Sequence, residues 1–103
     1  MNIKSLEHIY LIGIGGIGMS ALACFFLSQN KKVYGYDKVK SSITSELEEK
    51  GIKISYVDSI DTIPSDFNVN DDNKLIIYSS AISNNKIFSF FKKNNFNIRK
   101  RAF

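Results

Sequence analysis

Short apolar runs alternate with longer amphipathic segments along this 103-residue chain. Runs rich in Ile, Val, Leu and Tyr are typical of buried strands, and they predict five strands, over residues 8–13, 31–37, 52–57, 74–80 and 96–100. Apolar residues three or four positions apart predict three helices, over 16–29, 41–51 and 84–95. The intervening polar stretch, 58–73, contains the one proline, and a short helical turn is expected within it over 58–63.

The helical spacing also predicts which residues face the core. They are Ile17, Ala21, Cys24 and either Leu27 or Phe25 in the first helix, Ile43 and Leu47 in the second, and Ile87, Phe90 and Phe91 in the third. The serines at positions 41 and 42 suit the start of the second helix, and Gly51 suits its end.

Strands that alternate with helices indicate a parallel sheet joined by right-handed crossovers. The sequence therefore predicts an α/β fold, a Rossmann-like parallel five-stranded sheet of order 3-2-1-4-5 in a three-layer α/β/α arrangement. A length of 103 residues with 44% apolar composition suits one globular domain, spanning 1–103.

Composition narrows the setting of this domain. The single cysteine, Cys24, lies in the apolar run "ALACFFL" and is expected to be a small buried hydrophobe in a reducing compartment. The run from Ala21 to Leu27 is far shorter than the roughly 20 residues that span a bilayer. The first nine residues lack the pattern of a signal peptide. We therefore expect a cytoplasmic protein that inserts into no membrane.

The formal net charge of +4 does not by itself indicate nucleic-acid binding. Twelve of the 14 basic residues are lysines, whereas bidentate contacts to phosphate favour arginine. We therefore expect no nucleic-acid partner. After Asp72 there are seven basic residues and no acidic one. This basic segment is either a solvated face or a face that meets an anionic ligand or a neighbouring domain.

The candidate chemistry begins with "LIGIGGIGMS", residues 11–20, in which Gly13, Gly15 and Gly18 form a G-x-G-x-x-G motif between a strand and a helix. In such a loop the first glycine takes a tight turn, the second lets the backbone approach a diphosphate, and the third lets the helix pack closely on the strand. Amides around Gly15 to Gly18 then point at the anion, at the positive end of the helix dipole. The alternative is that the glycines only close a tight turn.

Two further stretches are expected beside this loop, where the strand order reverses. Asp37 ends the second strand, 19 residues after Gly18, and could accept hydrogen bonds from sugar hydroxyls or a base. Ser79 and Ser80 end the fourth strand and could donate to phosphate or sugar oxygens. The alternatives are that Asp37 merely caps a turn and that the serines merely end a strand.

Other reaction types lack their residues in this sequence. There is no G-x-x-x-x-G-K-S/T loop for ATP, no cysteine cluster for a metal and no evident nucleophile–base pair. The one histidine, His8, starts the first strand and is expected at the edge of the sheet far from the glycine loop. The residues themselves thus predict a binding domain without catalytic residues or a metal site.

The segment "HIYLIGIGGIGMSALA", residues 8–23, resembles the opening of bacterial Mur ligases, enzymes of peptidoglycan synthesis. Gly15-Gly16 together, followed by Gly18-Met19-Ser20, are more specific than the three glycines of the motif. Further matches follow in the family's order: "VYGYDK" (33–38), "ITSELEEKGIKI" (43–54), "IIYSSAIS" (76–83) and "IRKRA" (98–102). The resemblance extends from about residue 8 to residue 102.

The resemblance implies that this domain binds a UDP-sugar, UDP-N-acetylmuramate, in place of a nicotinamide dinucleotide. It implies that the glycine loop cradles the diphosphate, that Asp37 contacts the uridine, and that residues 79–81 approach the diphosphate and sugar. The substrate-binding residues it implies are Gly13, Gly15, Gly16, Ile17, Gly18, Met19, Ser20, Asp37, Ser79, Ser80, Ala81 and Arg101.

For the complete enzyme, the resemblance implies that ATP activates the muramoyl carboxylate as an acyl phosphate, which the amine of L-alanine attacks. It places ATP and magnesium in a central domain and the amino acid in a C-terminal domain, neither of which is in these 103 residues. We therefore expect this chain to bind no cofactor, to be inactive alone, and to have UDP-N-acetylmuramate and the enzyme's other domains as partners.

Two departures from the family pattern and several alternatives stay open at this point. Phe103 stands where the family usually has Glu. Val57-Asp58 stands where the family commonly has Gly-His, on the nucleotide side of the expected site. A sister ligase that recycles a murein tripeptide shares much of this domain. Outside the family, an NAD(H)-binding regulatory domain would use the same loop and Asp37, and a dehydrogenase half-domain would need a catalytic segment absent here.

Overall fold

The computed structural model describes residues 3–79 and 84–101. Helices and strands alternate along most of the chain, with short 3-10 turns at Ile3–Ser5, Ile60–Thr62 and Ser65–Phe67. In chain order the elements are β1 (His8–Ile12), α1 (Ile17–Ser28), β2 (Lys32–Tyr36), α2 (Ser42–Glu49), β3 (Lys53–Ser55), β4 (Lys74–Tyr78), α3 (Lys86–Lys93) and β5 (Ile98–Lys100). Each predicted helix and strand is present, and so is the helical turn expected within 58–63.

The five strands form one parallel sheet in the order β3-β2-β1-β4-β5, which confirms the predicted Rossmann-like topology. In register, Ile12 at the end of β1 lies beside Tyr36 at the end of β2 and Tyr78 at the end of β4. The chain runs outward from β1 to β3 on one side and from β4 to β5 on the other. The carboxyl ends of β1 and β4 therefore flank the point where the strand order reverses, which is the usual ligand position in such sheets.

The core consists of two apolar clusters, one on each face of the sheet. Alternate residues of β1 point to opposite faces, so Ile9 and Leu11 join one cluster and Tyr10 and Ile12 join the other. The first cluster packs against α1 and α2, and the second packs against α3 and the 3-10 turn that contains Phe67. Both faces of the central strand are covered, as a parallel sheet requires.

The predicted inward face of α1 is wrong. Its buried residues are Met19, Ala23 and Phe26, whereas Ile17 is 83% exposed. Ala21 and Phe25 are also exposed, and Cys24 and Leu27 are half-buried against the core. The helix "IGMSALACFFLS" contains no charged residue, so its apolar periodicity favours no single face.

The other two helices follow their sequence signals. Ser41 caps α2 through a reciprocal pair of hydrogen bonds with Thr44, and Gly51 follows the helix with a φ of 98°. The predicted inward residues of α2 are buried at Leu47 and half-buried at Ile43. In α3, Ile87 and Phe91 are buried and Phe90 is half-buried.

Candidate ligand-binding site

The glycine loop joins the end of β1 to the start of α1 at the carboxyl edge of the sheet. Gly13 has a φ of 90°, a conformation that glycine adopts without the steric cost of a Cβ atom. The amides of Gly13 and Ile14 both donate to the carbonyl oxygen of Tyr36, over 2.8 and 3.0 Å. The predicted tight turn at Gly13 is therefore present, and it is bonded to the end of β2.

Asp37 accepts a hydrogen bond from the glycine loop at Gly15. Its Oδ2 accepts a hydrogen bond of 2.7 Å from the amide of Gly15, and its Oδ1 accepts one of 3.1 Å from the amide of Val39. A Cβ atom on Gly15 would lie 2.7 Å from that Oδ2 and 3.0 Å from Cγ2 of the buried Thr44. Gly15 is thus required by the protein's own packing. Asp37 caps the turn after β2, as one alternative held, and also fixes the glycine loop.

The backbone amides available to a ligand are not all of those expected between Gly15 and Gly18. The Gly15 amide is bonded to Asp37, and the Gly16 amide donates to the carbonyl oxygen of Gly13 at 3.1 Å. Gly16 is the N-cap residue of α1 and makes no side-chain capping bond. Within residues 3–79 and 84–101, no acceptor is present for the amides of Ile17, Gly18 and Met19, the first turn of the helix. These three donors and the positive end of the helix dipole form an anion-binding position.

Arg101 lies against this first turn. Its backbone amide donates to the carbonyl oxygen of Tyr78 at 2.9 Å, which places the residue just beyond β5 at the carboxyl edge. A Cβ atom on Gly18 would lie 2.7 Å from Nε of Arg101 and closer still to Cζ and Nη2. The guanidinium therefore occupies the space that a side chain at position 18 would fill. The third glycine accommodates an arginine here, whereas the motif predicts close packing on a strand.

The charges at the first turn of α1 favour binding of an anion. A helix N-terminus carries the equivalent of about half a positive charge, and the guanidinium adds a full one. Both groups attract negative charge, so one anion beside them would interact favourably with both. The side chain of Tyr36 is buried in the core cluster that packs against α3, and burial, followed by the nearby charges of Asp58 and Asp37, raises its pKa above the usual value.

The remaining predicted residues are placed unevenly. Ser79 follows β4, and its amide donates to the carbonyl oxygen of Ile12 at 3.1 Å, so it lies beside the glycine loop. Ser80 and Ala81 lie outside the described residues. The side chain of Met19 is buried in the core, and Oγ of Ser20 bonds to the carbonyl oxygen of Ile17 at 2.8 Å. The side chain of Ile17 is exposed.

His8 lies at the opposite edge of the sheet, as predicted. Its Nε2 is 3.7 Å from Oδ1 of Asp66, whose other oxygen accepts a hydrogen bond from the hydroxyl of Tyr34. Burial, together with this bond, raises the pKa of Tyr34 to about 12, and the same bond lowers the pKa of Asp66. This group joins β1, β2 and the 3-10 turn at 65–67 and is remote from the glycine loop.

Two features typical of ATP and magnesium sites are not found in the sequence or in the described part of the chain. The sequence has no lysine-containing phosphate loop, and across 3–79 and 84–101 no three His, Cys, Asp or Glu side chains are grouped as metal ligands would be. None of the helices within the described ranges is long and apolar enough to cross a membrane.

Comparison with known proteins decides the family. A family model described as "Mur ligase family, catalytic domain" matches residues 8–102. The chain belongs to the Mur ligase family. It is 48% identical over 103 residues to the UDP-N-acetylmuramate–L-alanine ligase of Flavobacterium johnsoniae, covering 99% of this chain and 22% of that protein. It is 42% identical over 102 residues to the ligase of the same name from Christiangramia forsetii, covering 98% and 23%. The chain thus spans less than a quarter of the length of these relatives.

Solved structures agree with this assignment. The UDP-N-acetylmuramate–alanine ligase of Thermotoga maritima superimposes with a TM-score of 0.78 at 30% identity, over 91% of this chain and 20% of that one. A UDP-N-acetylmuramate:L-alanyl-gamma-D-glutamyl-meso-diaminopimelate ligase from Neisseria meningitides shares the fold, with a TM-score of 0.73 at 21% identity. These matches do not favour the alternative of an NAD(H)-binding regulatory domain.

The departure of this Mur ligase sequence at Val57-Asp58 has a structural role. Asp58 accepts hydrogen bonds from the amides of Lys86 and Ile87, at 2.9 and 3.0 Å, and so caps the start of α3. Asn85 caps the same helix through the amide of Phe88. Val57 is exposed at the carboxyl edge. The carboxylate thus contributes to the fold, a role that the family pattern did not predict.

Sequence reasoning also missed two residues that shape the glycine loop. Thr44 closes the space beside Gly15, and its signal was the Ser-x-x-Thr capping pattern at the start of α2. Gly35 lies in the middle of β2, where a Cβ atom would be 2.5 Å from Cδ1 of Ile14. A glycine inside a strand is itself a signal of close approach.

Proposed function

We propose that this chain is the UDP-N-acetylmuramate-binding domain of a UDP-N-acetylmuramate–L-alanine ligase. The observation that carries the proposal is the contact between the guanidinium of Arg101 and the first turn of α1, beside three amides without acceptors. A diphosphate placed there would receive backbone hydrogen bonds and a charge-assisted bond from Arg101. The names of the relatives support UDP-N-acetylmuramate as the molecule that carries this diphosphate.

The other proposed contacts to UDP-N-acetylmuramate involve residues at the same carboxyl edge of the sheet. Asp37 would contact the uridine through the oxygen lone pairs that its two amide bonds leave available. Ser79, with Ser80 and Ala81, would approach the diphosphate and sugar from the end of β4. In this proposal Gly13, Gly15 and Gly16 shape the loop, and Ile17, Gly18, Met19 and Ser20 form the helical turn that faces the anion.

The full-length protein would join UDP-N-acetylmuramate to L-alanine at the expense of ATP, in the cytoplasm, where ATP is supplied. ATP, magnesium and the amino acid would bind to the central and C-terminal domains, which are also the proposed partners of this chain. This chain would hold the UDP end of the substrate and perform no chemistry by itself, because it provides neither an ATP loop nor a nucleophile–base pair.

Calorimetric titration of the 103-residue chain tests this proposal. We expect saturable binding of UDP-N-acetylmuramate and none of ATP with magnesium or of NAD. Arg101→Gln is expected to weaken UDP-N-acetylmuramate binding by roughly tenfold or more, the value of a charge-assisted hydrogen bond. Arg99→Gln is the matched control, because it makes the same charge change two residues away, where the exposed side chain bonds to Asn97.

Binding of NAD in place of the UDP-sugar would contradict the ligase assignment and support a dinucleotide-binding domain. Equal losses from R101Q and R99Q would show that net charge alone drives binding, and would remove Arg101 from the site. Measurement at two salt concentrations separates these cases, because a screened long-range effect weakens with salt more steeply than a direct contact.

A further inference from the structure

We propose that Gly18 is a positioning residue for Arg101, whose guanidinium it seats against the amino-terminal end of α1. This inference rests on the proposed diphosphate site and adds a function for its third glycine. In it, Gly18 acts on the ligand through the arginine. The missing side chain at position 18 determines where the charge of Arg101 is held.

The first step of the argument is the space that the guanidinium occupies. A Cβ atom on Gly18 would lie 2.7 Å from Nε of Arg101, and Cζ and Nη2 would be nearer. Real Cβ atoms do not approach other heavy atoms so closely. Three atoms of one planar group therefore lie over the Cα of Gly18, and the smallest substitution, to alanine, must displace that plane.

The second step concerns direction. In an α-helix each Cα–Cβ bond tilts toward the helix N-terminus. A group that fills the Cβ position of Gly18, in the first turn of α1, therefore lies on the amino-terminal side of that turn. This is the side on which the amides of the first turn are exposed to a ligand. The seat thus places the cation where it and the amides can contact one anion.

The third step is reach. Arg101 follows β5, and β4 lies between β5 and β1 in the sheet. Strands are about 4.8 Å apart, so the side chain must cover about two strand spacings to reach the start of α1. A side chain with this many rotatable bonds is held in one place only by specific contacts. The flat contact with Gly18 supplies such a restraint.

The fourth step concerns the cost of having glycine at position 18, within α1. Glycine is less favourable than alanine within a helix, because it loses more conformational freedom on folding. The neighbouring Gly16 offers a contrast, because a Cβ atom there would make contacts of 3.5 Å or more, which are ordinary. At Gly18, by contrast, the space that a side chain would fill is occupied by the guanidinium of Arg101.

The first measurement is made without ligand, by NMR of the arginine Nε–Hε groups of the 103-residue chain. The sequence has two arginines, so R101Q assigns both signals. We expect Gly18→Ala to shift or broaden the Arg101 signal and to leave that of Arg99 unchanged. Gly16→Ala, which adds the same methyl group to the same loop, is expected to leave both in place. An unchanged Arg101 signal in G18A would overturn the proposal.

The second measurement is a double-mutant cycle on the affinity for UDP-N-acetylmuramate. G18A is expected to weaken binding by about tenfold, like R101Q, because each removes the same charge-assisted contact. The double variant should bind no more weakly than R101Q alone. The G16A control should have the same effect with and without R101Q. Additive losses from G18A and R101Q would overturn the proposal, since they would show that the two residues act independently.

These measurements separate this inference from the proposed function. If the unsubstituted chain fails to bind UDP-N-acetylmuramate, the proposed function fails, whereas the NMR comparison of G18A with G16A still decides whether Gly18 seats Arg101. Circular dichroism and thermal unfolding confirm that each variant folds. G18A is expected to unfold at or above the unsubstituted temperature, because alanine favours the helix.

Discussion

Gly35→Ala tests whether the middle of β2 and the glycine loop are packed as tightly as the structure indicates. A methyl group there would lie 2.5 Å from Cδ1 of Ile14, 2.8 Å from its Cβ and 2.9 Å from the carbonyl oxygen of Leu11. Ile14 is fully buried, and Leu11 belongs to the adjacent strand. Neither can move without disturbing β1 or the start of the loop.

The expected loss follows from two opposing effects. Forcing a methyl group into a packed core costs about 1–3 kcal/mol. Replacing glycine by alanine also restricts the unfolded chain, which returns about 0.4–1 kcal/mol. Because three atoms lie within 3.0 Å of the new methyl group, the packing cost should be in the upper half of its range, about 2–3 kcal/mol. The net loss in the free energy of unfolding should then be about 1–2.6 kcal/mol. For a domain of this size, that lowers the melting temperature by roughly 4–21 °C. Urea unfolding followed by circular dichroism measures the free energy, and a thermal scan measures the temperature.

A second substitution identifies the atom responsible. Ile14→Val removes Cδ1, the nearest atom to the new methyl group, and alone should cost about 0.5–1.5 kcal/mol. Combined with G35A it should cost less than the sum of the two, because it relieves part of the overlap. A stability of G35A within 0.5 kcal/mol of the unsubstituted protein would refute the reasoning. Full additivity with I14V would assign the strain to the Cβ atom of Ile14, which valine retains, or to the carbonyl oxygen of Leu11.

Three other expectations concern contacts that stabilise the fold. Asp58→Ala should cost about 0.5–2 kcal/mol in urea unfolding, because it leaves two amides at the start of α3 without their cap, whereas the exposed Asp61→Ala should change little. Tyr34→Phe should flatten the alkaline loss of stability, since the folded chain keeps that proton from pH 10.0 to about 12 while the unfolded chain loses it. Asp66→Asn should flatten the acid loss, because the pKa of Asp66 is lowered in the folded chain and its contribution disappears as the pH falls through that pKa.

The outcomes that contradict these expectations are distinct. Equal losses from D58A and D61A would show that the cap is not formed in solution. The pH comparisons are made as differences between each variant and the unsubstituted chain, because other tyrosines and carboxylates titrate in both. Parallel stability curves for Y34F and the unsubstituted chain from pH 10 to 12 would mean that Tyr34 has the same pKa folded and unfolded.

The sequence was sufficient for the architecture because the signals for it are local. Alternation of strands and helices predicted the parallel sheet and its order. The capping of α2 by Ser41 and the positive φ of Gly51 also follow from residues only a few positions apart. The predicted topology also predicted the position of the candidate site, at the carboxyl ends of β1 and β4.

Local signals failed where several choices satisfied the same pattern. The helix α1 is apolar on nearly every side, so its periodicity predicted the wrong inward face, and packing against the sheet buried Met19, Ala23 and Phe26. Asp58 gave no helix-capping signal, because the amides it accepts from lie in α3, far along the chain.

The sequence by itself determined that a glycine loop would join β1 to α1 and present a helix N-terminus at the edge of a parallel sheet, since backbone conformation there depends on adjacent residues. The tertiary structure decided which groups at that edge remain for a ligand. Asp37 takes the amide of Gly15, and Arg101 fills the space over Gly18. Both contacts join distant parts of the chain, so they exist only once the sheet brings the ends of β2 and β5 to the same edge.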